Sequence, residues 1–338
     1  MSAPPDSMTP LLKVEDLVTA FDTEAGEIHA VDGVSFEVMP GRTLGIVGES
    51  GCGKTVTALS IIQLLPHPTA SIARGRVLFE GEDLANADLD HLHKVRGNRI
   101  GMIFQEPMTA LNPVHRIGRQ IVEALRLHKD LNEAEALAAA VDMLEKVGIP
   151  SPEIRVSEYP HQLSGGMRQR VMIAMALICN PALIIADEPT TALDVTIQAQ
   201  ILDLLQDLQD HYQTSIIFIT HDLGVIAETC DDVLVMYAGR VAEQGSVVDV
   251  FNHPRHPYTQ GLLASIPRLT TPRKSRLKTI EGMVPALTEM PSGCRFNNRC
   301  PHAAPICADE YPDLEAGEDG AAGVHRTACH RWQELTVQ

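Results

Sequence analysis

Short apolar runs separated by polar and glycine-rich stretches recur along the first 250 residues. Runs of this length, bounded by turn residues, predict buried strands of an α/β sheet. We predict such strands at Thr43 to Val47, Leu183 to Ala186 and Ser215 to Thr220, with a further apolar run at Ile100 to Phe104. Earlier in the chain, Leu11 to Val38 predicts a region of antiparallel strands.

Helical spacing of apolar residues appears between these strands. Residues 115–162 predict a helical insertion, whose helix Asn132 to Val147 repeats apolar residues on one face, at Leu137, Ala140, Val141, Leu144 and Val147. Pro150 and Pro152 mark its end. Two more helices are predicted, at Val56 to Leu65 and Gly165 to Ile178.

A complete P-loop pattern lies between the first predicted strand and the helix that follows it. Its residues are Gly48, Glu49, Ser50, Gly51, Cys52, Gly53, Lys54 and Thr55. Glycines allow backbone N–H groups to surround phosphates, the lysine reaches the β- and γ-phosphates, and the Thr55 hydroxyl binds Mg²⁺. A chance glycine-rich turn would not match every fixed position with a strand and a helix on either side. Cys52 occupies a variable position of the pattern.

Two carboxylates follow the predicted strand Leu183 to Ala186. Asp187 and Glu188 therefore lie at the carboxyl end of a central strand, where α/β sheets bind their ligands. We expect Asp187 to hold Mg²⁺ through water and Glu188 to polarise the attacking water. The alternative, a solvated strand end, is disfavoured by the motif just upstream, Leu163-Ser164-Gly165-Gly166-Met167-Arg168-Gln169-Arg170.

With these three motifs in this order, residues 10–250 resemble the nucleotide-binding subunits of ABC transporters. The resemblance implies that Ser164, Gly165 and Gly166 bind the γ-phosphate of a nucleotide held by a second ATPase subunit, at the start of a helix. It also assigns roles to four further residues. Gln105 is the Q-loop residue that contacts the metal, Asp194 belongs to the D-loop, and His221 is the switch histidine that contacts the γ-phosphate. Phe21 is the aromatic residue that stacks on adenine, although it could equally be a core residue.

The resemblance sets the expected fold and domains. We expect an α/β P-loop NTPase of the ABC type over residues 10–250, with an antiparallel β subdomain and a helical signature subdomain at about 115–180. Residues 251–338 would form a small cysteine-rich C-terminal extension of the oligopeptide-transporter type. The expected cofactors are ATP and Mg²⁺.

Composition narrows the class of partner. The 27 basic against 44 acidic residues give a net charge of −17, which disfavours binding to nucleic-acid backbones or anionic bilayers. The longest apolar stretch, Val171 to Cys179, is too short to span a membrane, and no secretory signal is apparent. We therefore expect a peripheral subunit at the cytoplasmic face of the cell membrane.

The substrate clue follows Gln105. Residues 105–113, Gln-Glu-Pro-Met-Thr-Ala-Leu-Asn-Pro, resemble the same segment in dipeptide and oligopeptide importer ATPases, a group that includes nickel and glutathione importers. The resemblance implies two integral permease subunits, an extracytoplasmic solute-binding protein and a second ATPase subunit, with a paralogue favoured over a second copy. Nickel or glutathione uptake remains open, as does a regulatory or repair ATPase without transport.

The C-terminal extension contains four of the seven cysteines: Cys294, Cys300, Cys307 and Cys329. Disulfides are rare in the cytoplasm, so clustered thiols favour a metal. Paired C-x-x-C knuckles typical of zinc are missing, and the segment resembles an extension that carries a [4Fe–4S] cluster in some peptide-importer ATPases. Zinc and unligated thiols remain alternatives, with His302, His325 and His330 as possible substitute ligands or as residues that hydrogen-bond to the ligands. Cys179 and Cys230 are interpreted as structural, and residues 252–259 as a connector.

Overall fold

The computed structural model describes residues 9–24, 26–191, 193–266, 279–317 and 325–335. Its strands are β1 (Leu12–Thr23), β2 (Gly26–Val38), β3 (Thr43–Val47), β4 (Ala70–Phe79), β5 (Glu82–Asp83), β6 (Ile100–Ile103), β7 (Leu183–Asp187), β8 (Ser215–Thr220), β9 (Asp232–Tyr237), β10 (Arg240–Ser246), β11 (Glu315–Ala316) and β12 (Arg326–Thr327). Its α-helices are α1 (Lys54–Ile61), α2 (Leu89–Val95), α3 (Pro107–Ala110), α4 (Ile117–Arg126), α5 (Glu133–Lys146), α6 (Pro152–Arg155), α7 (Gly165–Leu177), α8 (Val195–Tyr212), α9 (Leu223–Thr229), α10 (Val247–Asn252), α11 (Pro257–Ala264), α12 (Pro305–Asp309) and α13 (Trp332–Leu335).

The chain divides into two compact units. Unit one comprises Met1–Leu11, Val38–Arg42 and Asn86–Ile219. Unit two comprises Leu12–Glu37, Thr43–Ala85 and Thr220–Gln338. Unit two therefore includes the P-loop and the described part of the C-terminal extension.

Unit one is built on three parallel strands in the order β6-β7-β8, with Ile100 paired to Leu183 and Leu183 paired to Ser215. Every residue of β7 and β8 is buried. Burial on both faces explains the continuous apolar runs, since strands of a covered parallel sheet have no solvent-facing side. The predicted strands at 183–186 and 215–220 are confirmed.

Helix α5 of unit one confirms the predicted helix and corrects its buried face. Asn132 caps the helix by accepting from the Glu135 N–H at 3.0 Å, and the Glu135 side chain accepts from the Asn132 N–H at 3.0 Å, a full capping box. The buried residues are Ala136, Ala140, Met143 and Leu144. Leu137, predicted on the apolar face, is 43% exposed, because it lines a surface groove together with residues of α4.

Unit two contains two sheets. One is antiparallel, in the order β2-β1-β4-β5, and confirms the antiparallel region predicted from the sequence. In the other, β3 pairs in parallel with β9, and β9 pairs antiparallel with β10. Helix α1 begins at Lys54, two residues before the predicted start, because Gly53 in the left-handed conformation turns the chain directly into the helix. It ends at Ile61, just before Gln63, whose φ of 49° is incompatible with a continuing helix.

The C-terminal extension joins the second sheet of unit two through a strand. β12 pairs antiparallel with β10, and β11 pairs with β12. Phe296 of the extension is 2% exposed and packs against Tyr237 and Tyr258, with ring centroids 5.2 and 5.4 Å away. Among the described residues, no helix combines the length and the apolar character that a membrane crossing requires.

Candidate nucleotide site

The P-loop of unit two needs glycine at two positions for steric reasons. Gly48 and Gly53 have φ values of 154° and 97°. A Cβ on Gly48 would lie 2.2 Å from the Met236 carbonyl oxygen, and one on Gly53 would lie 2.6 Å from the Ala30 carbonyl oxygen. Both distances are far below van der Waals contact. The loop is therefore packed closely against neighbouring backbone and can keep its curved path only with glycine.

Lys54 lies within the curve of this loop. Its Nζ donates to the carbonyl oxygens of Gly48, at 2.8 Å, and Glu49, at 3.2 Å, and the residue is 6% exposed. The ammonium group is thus held inside the loop by the loop's own backbone. Ser50, Gly51 and Thr55, the other predicted ligands of this loop, are exposed.

Phe21 and His221 also belong to unit two. Phe21 lies near the end of β1, paired with Ala70, and is half-buried. His221 is exposed and directly follows β8. It precedes Asp222, whose carboxylate accepts from the Gly224 N–H at 2.8 Å and caps α9. The half-buried ring of Phe21 is compatible with both of the roles predicted for it.

Unit one brings Gln105 and Glu188 together. Gln105 Nε2 donates to Glu188 Oε2 at 2.8 Å, and Thr191 Oγ1 donates to the same oxygen at 2.8 Å. Glu188 has a φ of 47°, unusual for a residue with a side chain, and its N–H donates to the Ile219 carbonyl at 2.9 Å. Strained backbone of this kind is concentrated at functional sites. Asp187, the last residue of β7, is 2% exposed.

The signature residues begin helix α7 of unit one. Ser164 is the N-cap residue, and its hydroxyl accepts from the Met167 N–H at 3.4 Å. A Cβ on Gly165 would meet nothing within 4 Å, whereas one on Gly166 would lie 3.1 Å from Ile197 Cγ2. Asp194 caps α8 by accepting from the Ile197 N–H at 3.0 Å. The first turn of α7 is thus exposed on the Gly165 side.

Contacts made by three residues of this region were not predicted from the sequence. Gln169 is 2% exposed and donates to the Pro189 carbonyl at 2.6 Å, which links α7 to the loop after Glu188. Arg168 donates to the Pro160 carbonyl at 2.7 Å and contacts Met108 of α3. Thr191 shares the carboxylate of Glu188 with Gln105. Gln169 and Arg168 lie within the signature itself, but the motif alone does not identify their partners.

The four cysteines of the extension line one largely enclosed cavity. Its other lining residues include His256, His302 and His330, and its empty volume is about 340 Å³, including space open to solvent. The Cys294 N–H donates to the Cys307 carbonyl at 2.8 Å, which holds these two residues side by side. The fourth thiol, Cys329, comes from a distant part of the chain. His325, predicted as a substitute ligand or a supporting residue, pairs with the buried Glu243 at 2.7 Å.

All four cysteines are free thiols. Burial raises the pKa of Cys294 and of Cys329 to about 11 each, and it also raises the pKa of Cys300. Within the described ranges, no three or more Cys, His, Asp or Glu side chains form a group that could hold a metal ion. The four thiols therefore share the lining of one cavity.

Comparisons with known families agree with this arrangement of motifs. Residues 31–191 match the family described as ABC transporter. Residues 242–307 match the C-terminal region of oligopeptide/dipeptide transporters. The second match begins within β10 and ends at Cys307.

Individual proteins match over nearly the whole chain. A probable peptide ABC transporter ATP-binding protein of Sinorhizobium fredii is 55% identical over 325 residues, which is 96% of each chain. The oligopeptide transport ATP-binding protein OppD of Bacillus subtilis is 53% identical over 91% of this chain and 86% of its own. Among solved structures, a dimeric post-hydrolysis ATP-binding cassette bound to ADP and phosphate matches with a TM-score of 0.63 and 26% identity, covering 70% of this chain and 98% of the other.

Similarity of this extent includes all three nucleotide motifs and most of the C-terminal extension. The matching cassette structure also confirms the ABC-type P-loop fold expected from the sequence. The chain therefore belongs to the ATP-binding proteins of ABC transporters, in the branch that carries the oligopeptide/dipeptide transporter C-terminal region.

Proposed function

We propose that this chain hydrolyses ATP to power the uptake of dipeptides or oligopeptides through a membrane ABC importer. The observation that carries the substrate class is the identity of 53–55% to peptide-transport ATP-binding proteins over nearly the full chain. Residues 105–113 resemble the same segment of these importers and support the same substrate class.

In the proposed reaction, the residues predicted for the nucleotide site act on one MgATP. The P-loop N–H groups of residues Gly48 to Gly53 and the ammonium of Lys54 bind the phosphates. Thr55, Gln105 and Asp187 would hold Mg²⁺, which would neutralise charge on the phosphate oxygens. Phe21 stacks on adenine, and His221 contacts the γ-phosphate. The donor set of hydroxyl, amide and carboxylate oxygens suits this hard cation.

Glu188 is the proposed general base. Its carboxylate is oriented by two hydrogen bonds, from Gln105 and Thr191, and by its own backbone bond to Ile219. A base that is fixed in advance needs little reorganisation when it polarises water for attack on the γ-phosphorus. In the proposal, Gln105 contacts both this carboxylate and the metal. A shift of the loop after Gln105 would therefore move the Glu188 carboxylate as well.

The proposed assembly contains two ATPase subunits, with a paralogue as the favoured partner. Ser164, Gly165, Gly166 and Asp194 would act on the nucleotide of that partner. Two integral permease subunits and an extracytoplasmic solute-binding protein complete the importer, so this chain lies at the cytoplasmic face of the membrane. We divide it into an ATPase domain, residues 10–250, and an extension, residues 251–338.

Peptide uptake by the assembled transporter in membrane vesicles tests this function. Lys54→Ala should abolish ATP-driven uptake and weaken ATP binding by about tenfold or more, because a charged hydrogen-bond donor to phosphate contributes about 1.5–3 kcal/mol. Lys94→Ala, an exposed lysine of α2, is the matched control and should leave uptake unchanged. ATP-driven uptake of nickel or glutathione without peptide uptake would contradict the peptide assignment, and ATPase activity without any uptake would favour a non-transport role.

We further propose that Cys294, Cys300, Cys307 and Cys329 bind one [4Fe–4S] cluster with a structural or redox-sensing role. Four thiols that line one cavity offer the soft ligand set that such clusters require. The wide sequence gaps between these cysteines, without paired C-x-x-C knuckles, suit four thiolates that reach one cluster better than a single zinc ion. Zinc remains the second candidate.

Colour and metal content test the cluster directly. Protein purified without oxygen should be brown and contain iron and sulfide, and Cys→Ser at any of the four positions should remove most of the colour. Cys179→Ser, at a buried position two residues after the end of α7, is the control and should keep it. Colourless anaerobic protein with stoichiometric zinc would contradict the cluster and support the second candidate.

A further inference from the structure

The P-loop of this chain contains a carboxylate whose partner comes from the C-terminal extension. Glu49 occupies a variable position of the motif, between Gly48 and the exposed Ser50. Arg299, one residue before Cys300, binds both of its carboxylate oxygens: Nη1 lies 2.5 Å from Oε2, and Nη2 lies 3.0 Å from Oε1. This is the bidentate geometry in which arginine–carboxylate pairs are strongest.

The arginine is buried within this contact. Its side chain is 4% exposed, while that of Glu49 is 32% exposed. Arg299 also donates to the hydroxyl of Tyr237 at 3.3 Å and, through Nε, to the Glu281 carbonyl at 2.9 Å. A buried guanidinium with this many partners has one orientation. Its position is therefore fixed by the fold of the extension before any nucleotide binds.

The backbone of Glu49 is held from the same side. Its N–H donates to the hydroxyl of Tyr258, in α11, at 2.8 Å. Tyr258 is fully buried, and its ring packs against Tyr237 and Phe296. The residues after position 250 thus contact Glu49 through both its side chain and its main chain.

A second arginine of the extension contacts the hairpin formed by β9 and β10. Arg295 donates to the Ala238 carbonyl and to Asp32. The next residue of the hairpin, Gly239, donates its N–H to the Cys52 carbonyl of the P-loop at 3.0 Å. Arg295 and Arg299 lie on either side of Phe296 in sequence, so one short segment of the extension supports the P-loop at two places.

The contact with Arg299 affects nucleotide binding because Glu49 is negatively charged. An unpaired carboxylate within a phosphate-binding loop would repel the phosphates of ATP, since like charges at close range are unfavourable, most of all where solvent is partly excluded. We propose that Arg299 is a positioning residue of the nucleotide site, which neutralises Glu49 and fixes its direction so that the loop accepts phosphate. The inference rests on the proposed role of the P-loop in binding ATP.

The test is ATP affinity, measured by calorimetric titration of the full-length chain with MgATP. Arg299→Gln should weaken binding by about tenfold, the effect of leaving the Glu49 charge uncompensated. The double variant Glu49→Gln, Arg299→Gln should return affinity to within about twofold of wild type, because it removes the repelling charge as well. Arg74→Gln, which breaks an exposed ion pair with Asp16 in the same unit, is the control and should not change binding.

Rescue by the second substitution separates this role from a merely structural one. If Arg299 only held the extension in place, adding Glu49→Gln to Arg299→Gln would not restore ATP affinity. That result would overturn the proposal. Two further variants test the proposal if Arg299→Gln folds poorly. Glu49→Gln alone should bind ATP as tightly as wild type or more tightly. Arg299→Lys should retain most of the wild-type affinity for ATP. Weakened binding by Glu49→Gln would also overturn it. Wild-type binding of ATP reports separately on the proposed function.

Discussion

Replacing Glu188 with glutamine is expected to reduce steady-state ATP hydrolysis by at least about 100-fold while ATP binding stays near wild type. The amide keeps the shape of the side chain but cannot accept a proton from the attacking water. Phosphate release by the purified, assembled transporter measures the first effect, and equilibrium titration with ATP measures the second. Size-exclusion chromatography in ATP should also show a trapped pair of ATPase subunits.

The local structure makes this substitution a specific probe of the chemistry. The Thr191 hydroxyl and the Gln105 amide both donate to one Glu188 oxygen, a role that the amide oxygen of glutamine can take over. The strained backbone at this position is unaffected by the change. Glu145→Gln, at an exposed site on α5, is the matched control and should hydrolyse ATP normally. Near-normal turnover by the Glu188 variant would remove this residue from the proposed catalytic role.

Local patterns were sufficient to predict the elements that carry the motifs. The strand bounds at Thr43–Val47 and Ser215–Thr220 match those in the structure, because short apolar runs buried on both faces leave a continuous signal. Helix α5 was placed correctly because the spacing of its apolar residues is a local signal. Helix α1 was placed too late, since the left-handed Gly53 begins it inside the P-loop.

Contacts between residues far apart in the chain could not be predicted from the sequence. Gln105 and Glu188 are 83 residues apart, and Glu49 and Arg299 are 250 residues apart. No periodicity links such positions, because their proximity depends on how whole elements pack. The four cysteines were recognised as a set from composition, but only the fold shows that they line one cavity. Leu137 illustrates the same limit, since helical spacing identifies an apolar face without showing what covers it.

Changing the signature residues is expected to act on the nucleotide of the partner subunit. Gly165→Asp should reduce hydrolysis by the assembled transporter by about 100-fold or more, as the loss of a preorganised phosphate contact does elsewhere, and it places a negative charge where a γ-phosphate should bind. Binding of ATP to the P-loop of the altered chain itself should remain within about twofold of wild type. Ser164→Ala should act in the same direction but more weakly, because it removes one hydroxyl and adds no charge.

The geometry at the start of α7 supports a large effect on assembly with little effect on folding. A side chain at position 165 would enter open space in the isolated subunit, whereas one at 166 would press on Ile197. The aspartate should therefore be tolerated until a second subunit approaches. Photo-crosslinking with labelled ATP separates the two nucleotide sites: labelling of the altered chain should persist, while Lys54→Ala should reduce it strongly. Loss of labelling on the altered chain itself would contradict a site shared between subunits, because Gly165 would then serve the nucleotide bound by its own P-loop.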